Sequence, residues 1–140
     1  MNISKFILAG IAGGILIFLL GYLTYGLLLA DFFTKHAGPA KGAGRDMQQL
    51  LFLYLFIGNL LFGFLLAYVI SKSGITTIGK GFICGATVGF LANAANGCIT
   101  FATTWLISRT ALAADAVSFA VVSGIVGAAQ AWIAGKGKKA

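Results

Sequence analysis

Four long apolar runs constrain this chain more than any other feature of its sequence. They cover residues 6–30, 47–70, 81–107 and 111–134, and among them only the fourth holds a charged residue, Asp115. A helix needs about 20 apolar residues to cross the hydrocarbon core of a bilayer. Since that core offers no water to backbone N–H and C=O groups, spanning runs of this kind are predicted to be helices. We therefore expect an all-α polytopic membrane protein: a single domain over residues 1–140, built as a four-transmembrane-helix antiparallel bundle, with residues 31–46 as its extramembrane loop.

The composition points to the same environment. Of the 140 residues, 59% are hydrophobic and 9% are charged, whereas soluble domains carry about 25% charged residues. The net charge of +7 comes from basic residues that lie between and after the apolar runs, where membrane topology places them. The partner that this pattern predicts is the lipid bilayer, and a nucleic acid is not expected.

Lysine and arginine also suggest an orientation. With four spans, both termini share one side of the membrane, and that side holds six of the ten basic residues: Lys5, Lys72, Lys80, Lys136, Lys138 and Lys139. Because cytoplasmic loops carry an excess of Lys and Arg, both termini are predicted to be cytoplasmic. The margin is narrow, and it leaves a dual topology open. The first run is far longer than the apolar part of a signal peptide, so we expect it to be a retained span.

One face of the third run is small and polar. At 100° per residue, its small and polar residues fall within an arc of roughly 120°: Gly85, Gly89, Asn93, Asn96, Gly97, Thr100, Thr103 and Thr104. Gly81, Gly85 and Gly89 form two overlapping GxxxG steps, which allow a neighbouring backbone to approach closely. This face is therefore predicted to pack against protein or to meet water.

Asn59, Asn93 and Asn96 are expected at similar depths near the middle of the bilayer. An unsatisfied amide costs several kcal/mol in hydrocarbon, so the three are predicted to bond one another or another polar group. Two interpretations stay open. The residues are either hydrogen-bonding contacts between packed helices, or the walls of a pathway lined by Asn59, Asn93, Asn96, Thr100 and Thr104. No Asp, Glu, His, Lys or Arg is expected near the bilayer midplane, and this argues against a proton-coupled transporter.

A cluster of ionisable residues is predicted at the opposite, non-cytoplasmic ends of the helices. It includes Asp31, His36, Arg109 and Asp115. For Asp115 we expect a salt bridge or a helix-capping role, because a carboxylate is favoured near a helix N-terminus. One histidine with scattered acids makes a poor metal site, so no metal and no cofactor are predicted.

No catalytic motif accompanies this cluster. The chain lacks GxSxG, HExxH and a phosphate-binding glycine loop, so no catalytic residues are predicted and an enzyme is not expected. Cys84 and Cys98 are 14 residues apart in one predicted helix, about 21 Å along its axis. This separation excludes a disulfide between them within that helix.

The segment "GYLTYGLLLADFFTKHAG" resembles a family of small bacterial four-span membrane proteins that is known only as a domain of unknown function. The likeness rests on Gly21, Tyr25, Leu28, Phe33 and Gly38, with "AYVI" closing the second run and a third run that begins with glycine. It implies four helices and a location in the bacterial inner membrane. It implies no activity.

Two other stretches, "GNLLFGFLLA" and "GCITFATTW", resemble helices of the small dual-topology fluoride channels. The chain departs from that pattern in two places. The first run has no arginine after its glycines, and the spacing from Asn59 to Gly63 is one residue longer. The role that the sequence predicts is that of a small scaffold or accessory subunit, in a homo-oligomer or a larger membrane complex. The alternative is a small dimeric channel or transporter with an Asn/Thr-lined pathway.

Overall fold

The computed structural model describes residues 1–40 and 42–136, and of Met47 the backbone alone. Within these ranges the chain is all-α, with four long helices, one short helix and no strand. This confirms the predicted fold class. Each long helix has the length and the apolar composition needed to cross a membrane. Lys138 and Lys139, which the orientation prediction used, lie outside the described residues, as does Lys41, one of the four basic residues predicted on the other side.

The first span contains two kinds of helix. Helix α1 covers Ile3–Gly21 and is capped by Asn2, whose side chain accepts a hydrogen bond of 2.9 Å from the backbone N–H of Lys5. It continues without a break into a π-helical segment, Tyr22–Leu28. The span therefore covers residues 3–28, where the sequence predicted 6–30. Helix α2, Ala30–Lys35, follows in what was expected to be a loop.

The second span begins later than the sequence predicts. Met47–Gln49 forms a 3₁₀ turn, and helix α3 covers Phe52–Lys72. Its end is marked by Gly74, whose φ of +64° is a conformation that glycine adopts without strain. The N–H of Ile75 donates to the carbonyl oxygen of Ile70 at 3.2 Å, which is the long hydrogen bond of a Schellman motif.

Helices α4, Ile78–Thr103, and α5, Arg109–Gly135, form the last two spans. The predicted third span reached residue 107, but α4 ends at Thr103. The reason is a competing backbone pairing: Leu106 accepts a hydrogen bond of 3.1 Å from the N–H of Gly38, next to an isolated antiparallel bridge between Ala37 and Ile107. This pairing attaches the segment after α2 to the α4–α5 turn.

The α4–α5 turn also starts the last helix. The Ser108 side chain accepts a hydrogen bond of 3.2 Å from the N–H of Ala111, which satisfies one of the free donors of the first turn. The Ser108 hydroxyl also donates to the carbonyl oxygen of His36. One serine therefore links the helix start to the segment after α2.

Small residues bring the helices together in two pairs. Helix α1 meets α3 where Gly63 lies against the backbone of Gly10 and Gly14, and a Cβ added at Gly63 would collide with both. In the second pair, α4 lies against α5 through Gly85 and Gly127. A Cβ added at either glycine would collide with the backbone of the other helix, so a larger residue does not fit. Helix α5 also packs on α1, whereas α4 meets α3 at only a few residues. The outer face of α4 is therefore left free.

A small apolar core joins the pairs. Its buried members are Ile17, Leu66, Ile70, Val126 and Ala131. Many large apolar side chains on all four spans point outward, for example Leu53, Leu61, Ile83 and Leu91, each more than 60% exposed. In water such a surface would be strongly unfavourable, whereas in a bilayer it faces acyl chains.

Candidate functional site

Asp115 and Asn93 form a polar pair between the last two helices. The Nδ2 of Asn93 donates to the Oδ2 of Asp115 at 2.8 Å, and both side chains are half-buried. Because α5 begins at Arg109, Asp115 lies about 9 Å along the helix, within the span. The predicted salt bridge or cap at Asp115 is absent from the described residues, in which its side chain bonds an amide.

Beside this pair lies a cavity of about 460 Å³, lined by residues of the first span, α3, α4 and α5. Polar groups reach it from three helices, through Asn59, Asn93 and Asp115. Much of the remaining wall is aromatic, from Phe18, Tyr22, Tyr25, Phe52 and Phe119. Among the described residues that line the cavity, Asp115 alone carries a charge.

The π-helical segment forms one wall of the cavity. Its Tyr25 hydroxyl lies 3.5 Å from the backbone carbonyl oxygen of Asp115, at the outer limit of a hydrogen bond, and its ring contacts Phe33 with centroids 5.4 Å apart. Gly21, just before the segment, also lines the cavity, and a Cβ added there would meet nothing within 4 Å. Wider π turns inside helices occur often at functional sites.

The five residues of the predicted Asn/Thr-lined pathway are placed differently from one another. Asn59 and Asn93 line the same cavity, but the Asn59 Nδ2 donates to the carbonyl oxygen of Leu55 in its own helix, at 2.6 Å. Asn96 is exposed on the surface of α4. Thr104 donates to the carbonyl oxygen of Thr100, at 2.7 Å. Within the described chain the three amides do not bond one another, and Asn59 and Asn93 instead bond other polar groups, which was the alternative expectation.

Gly81, Gly85 and Gly89 all lie against α5. A Cβ added at Gly81 would meet the Gly127 carbonyl oxygen at 2.5 Å, and one at Gly89 would collide with Ser123. Their spacing of four residues places them in one row, as the sequence suggested. The row positions Asn93, which is the next residue along the same face, opposite α5 and Asp115.

No side-chain hydrogen bond joins the members of the predicted ionisable cluster to one another in the part of the chain that the structure describes. Asp31 is exposed in the first turn of α2. The guanidinium carbon of Arg109 lies 6.0 Å from the ring centroid of Phe101. His36 stacks on Phe32 with centroids 4.3 Å apart, and its Nδ1 lies 2.8 Å from the Phe32 carbonyl oxygen. Over residues 1–40 and 42–136, no three His, Cys, Asp or Glu side chains come close enough to hold a metal ion.

Gln130 is a buried polar residue that sequence reasoning missed. It is fully buried, and its Nε2 donates to the carbonyl oxygens of Ala9 at 3.0 Å and Gly63 at 2.8 Å. One side chain of α5 therefore joins α1 and α3 near their glycine contact. Its Oε1 has no hydrogen-bond partner among the described residues. A single strongly polar side chain in the second half of the fourth run was the signal available in the sequence.

These features define a multi-pass membrane protein with a mostly apolar cavity between its helices, which one carboxylate and two amides reach. Comparison with protein-family models, curated proteins and solved structures finds no match to this chain. The resemblance to the bacterial four-span family therefore stays a prediction, and the site has to be interpreted from its own chemistry.

Proposed function

We propose that this protein binds a small solute inside the membrane, in the cavity next to Asp115, as a small carrier or channel. The observation that supports the proposal is the placement of a carboxylate at a cavity within a membrane-spanning helix. An ionisable side chain within a spanning helix is costly to insert, and such residues usually mark substrate or ion pathways.

The competing explanation is that Asp115 and Asn93 only hold helices together. The chain itself offers a comparison, because Gln130 joins three helices with an uncharged amide that is fully enclosed. Helix packing in this bundle therefore does not need a charge. Asp115 is half-buried beside open space, which is the arrangement expected of a side chain that meets a ligand.

Thiol labelling tests whether the cavity is accessible from water. In a background with Cys84→Ala and Cys98→Ala, a cysteine is introduced at Asn59, which lines the cavity, or at Leu61, which is 65% exposed on the same helix and does not line it. A small, water-soluble methanethiosulfonate is then added to the protein in nanodiscs. The thiolate is the reactive form of cysteine. Because hydrocarbon disfavours a charged thiolate, a cysteine that faces lipid reacts slowly.

We expect rapid modification of the Asn59→Cys protein and little modification of the Leu61→Cys protein. Equal, slow modification of both would contradict the proposal, because it would mean that water does not enter the cavity. Equal, fast modification of both would also contradict it, because the cavity position would then not be distinguished from the outer surface.

A scaffold role is a second candidate, favoured by one observation on α4. Asn96 is exposed on its outer face, where an amide would meet hydrocarbon at a cost of several kcal/mol. A polar group on a second copy or on a larger membrane complex would remove that cost. Purification in mild detergent tests this: an assembly that Asn96→Leu dissociates supports the scaffold role, and a monomer unchanged by Asn96→Leu contradicts it.

We also propose that the protein resides in a bacterial inner membrane with both termini in the cytoplasm. The described basic residues support this only by a small margin, with Lys5, Lys72, Lys80 and Lys136 at one end of the bundle. Fusion of a reporter that is active only outside the cytoplasm to the C-terminus is expected to give an inactive product. An active fusion would mean that the C-terminus lies outside the cytoplasm, opposite to the proposed orientation.

A further inference from the structure

The negative charge beside the cavity, that of Asp115, selects among ligands. Asp115 is the one charged residue among its described lining residues, and Asn93 donates to only one of its two carboxylate oxygens. A carboxylate repels anions and attracts cations, and partial burial strengthens this attraction because it lowers the local dielectric constant. The second oxygen is available to a ligand that brings a positive charge.

The walls indicate what kind of cation fits. Aromatic rings line the cavity from α1, the π-helical segment, α3 and α5: Phe18, Tyr22, Tyr25, Phe52 and Phe119. Ring faces attract organic ammonium groups through cation–π interactions, and such cages are typical of quaternary ammonium recognition. Calcium and magnesium instead require six or more oxygen ligands, which these mostly apolar walls do not supply.

The size of the cavity agrees with an organic ligand. Its volume of about 460 Å³ lies within the range of small-molecule sites, about 300–1,000 Å³. A bare monatomic cation would leave most of this space empty and would face rings instead of oxygens. A ligand with one cationic group and an apolar body would place its charge at Asp115 and its body against the rings.

We propose that the ligand of this cavity is an organic monocation, an amine or quaternary ammonium with an apolar or aromatic body, which binds with its charge at Asp115. The proposal rests on the proposed function, since it names the class of solute for the same cavity. Asp115 supplies the charge, Asn93 donates a hydrogen bond to one carboxylate oxygen, and Tyr25 and Phe119 are among the rings that line the cavity.

Radiolabelled benzyltrimethylammonium is a suitable probe, measured by equilibrium binding to the full chain in nanodiscs. Its neutral carbon isostere, neopentylbenzene, has nearly the same shape without the charge and serves as a competitor. We expect saturable binding of the cation that an unlabelled cation displaces and the neutral isostere does not. If the isostere displaced the labelled cation as effectively as the unlabelled cation does, the proposal would be overturned, because shape and not charge would then govern binding.

Two matched variants test the role of the carboxylate. Asp115→Asn keeps the size of the side chain and can still bond Asn93, and we expect it to weaken binding of the cation about tenfold or more. Asp31→Asn removes an equal charge from an exposed position on α2, outside the cavity, and should leave binding unchanged. An equal loss in both variants, or no loss in either, would overturn the proposal.

Charged thiol reagents separate this proposal from the more general one and do not depend on any single ligand. On the Asn59→Cys protein, a cationic methanethiosulfonate should react faster than an anionic one, after correction for their rates with a free thiol. Asp115→Asn should abolish that preference. Modification by both reagents without preference would refute the cation while leaving the solute-binding function standing. Modification by neither would refute the function itself.

Discussion

Two polar positions on the same helix, Gln130 and Asp115, meet very different surroundings. Gln130 is fully buried, uncharged and bonded through its Nε2 to backbone carbonyls of two other helices. Asp115 is half-buried, charged and bonded to one amide at the edge of a cavity. A bilayer penalises both side chains; Gln130 offsets that penalty through hydrogen bonds to two other helices, whereas Asp115 bonds a single amide of α4. The difference supports the proposal that one end of α5 packs against other helices and the other end binds a ligand.

The largest expected effect concerns the packed end. Gly63→Val would bring a branched side chain against the backbone of Gly14 and Gly10, where nothing flexible can move aside. We expect a loss of about 3 kcal/mol or more in the free energy of unfolding, which is the upper range for overpacking. The measurement is reversible unfolding in mixed micelles.

Gly58→Val is the matched control for that substitution. It lies on the same helix, and a Cβ there would meet nothing within 4 Å. It should change the free energy of unfolding by less than about 0.5 kcal/mol. If both variants lost the same stability, the close contact of α1 with α3 at Gly63 would be wrong.

An intermediate effect is expected at Gln130. Gln130→Leu removes two interhelical hydrogen bonds, each contributing about 0.6–2 kcal/mol in membrane proteins, while keeping an apolar side chain of similar size. We therefore expect the free energy of unfolding to fall by about 1–3 kcal/mol, with ligand binding retained. An unchanged or higher stability would show that the buried amide does not hold α1 and α3 to α5.

The smallest stability effect should come from the binding end. The double variant Asn93→Leu/Asp115→Leu removes both members of the polar pair together, so that no unpaired group remains. Replacement of a buried polar pair by apolar residues is often neutral or stabilising. We expect the free energy of unfolding to change by less than about 1 kcal/mol, or to rise, while binding of the cationic probe is lost. A loss of stability as large as that of Gln130→Leu would make the pair a packing contact.

Much of the architecture was predictable because it follows from length and charge alone. An uncharged run such as residues 81–107 has to cross the membrane as a helix, and glycines four residues apart indicate where a neighbour approaches. Segment ends were less predictable. Residues 104–107 are not part of α4 because they pair with the backbone of the segment at Gly38. Nothing local in the sequence identifies that pairing.

The site was only partly predictable, since helical periodicity gives the direction of a side chain but not what lies opposite. Asn93 was correctly expected to need a polar partner, but the partner is Asp115 of α5 and not another amide. The rotation of α4 that exposes Asn96 depends on packing with α5 over its whole length. The π-helical segment, which brings Tyr25 to the cavity, has no recognised sequence signature.

The most direct test of the whole account is solvent exchange of two side-chain amides, Asn93 and Gln130, by NMR of ¹⁵N-labelled protein in nanodiscs. Their signals can be assigned from spectra of Asn93→Leu and Gln130→Leu. We predict that the Asn93 amide protons exchange with water readily, while those of Gln130 exchange about a hundredfold more slowly, because only the latter need the bundle to open. Equal protection of both amides would mean that the cavity at Asp115 is dry, and would contradict the claim that this end of α5 is a binding site.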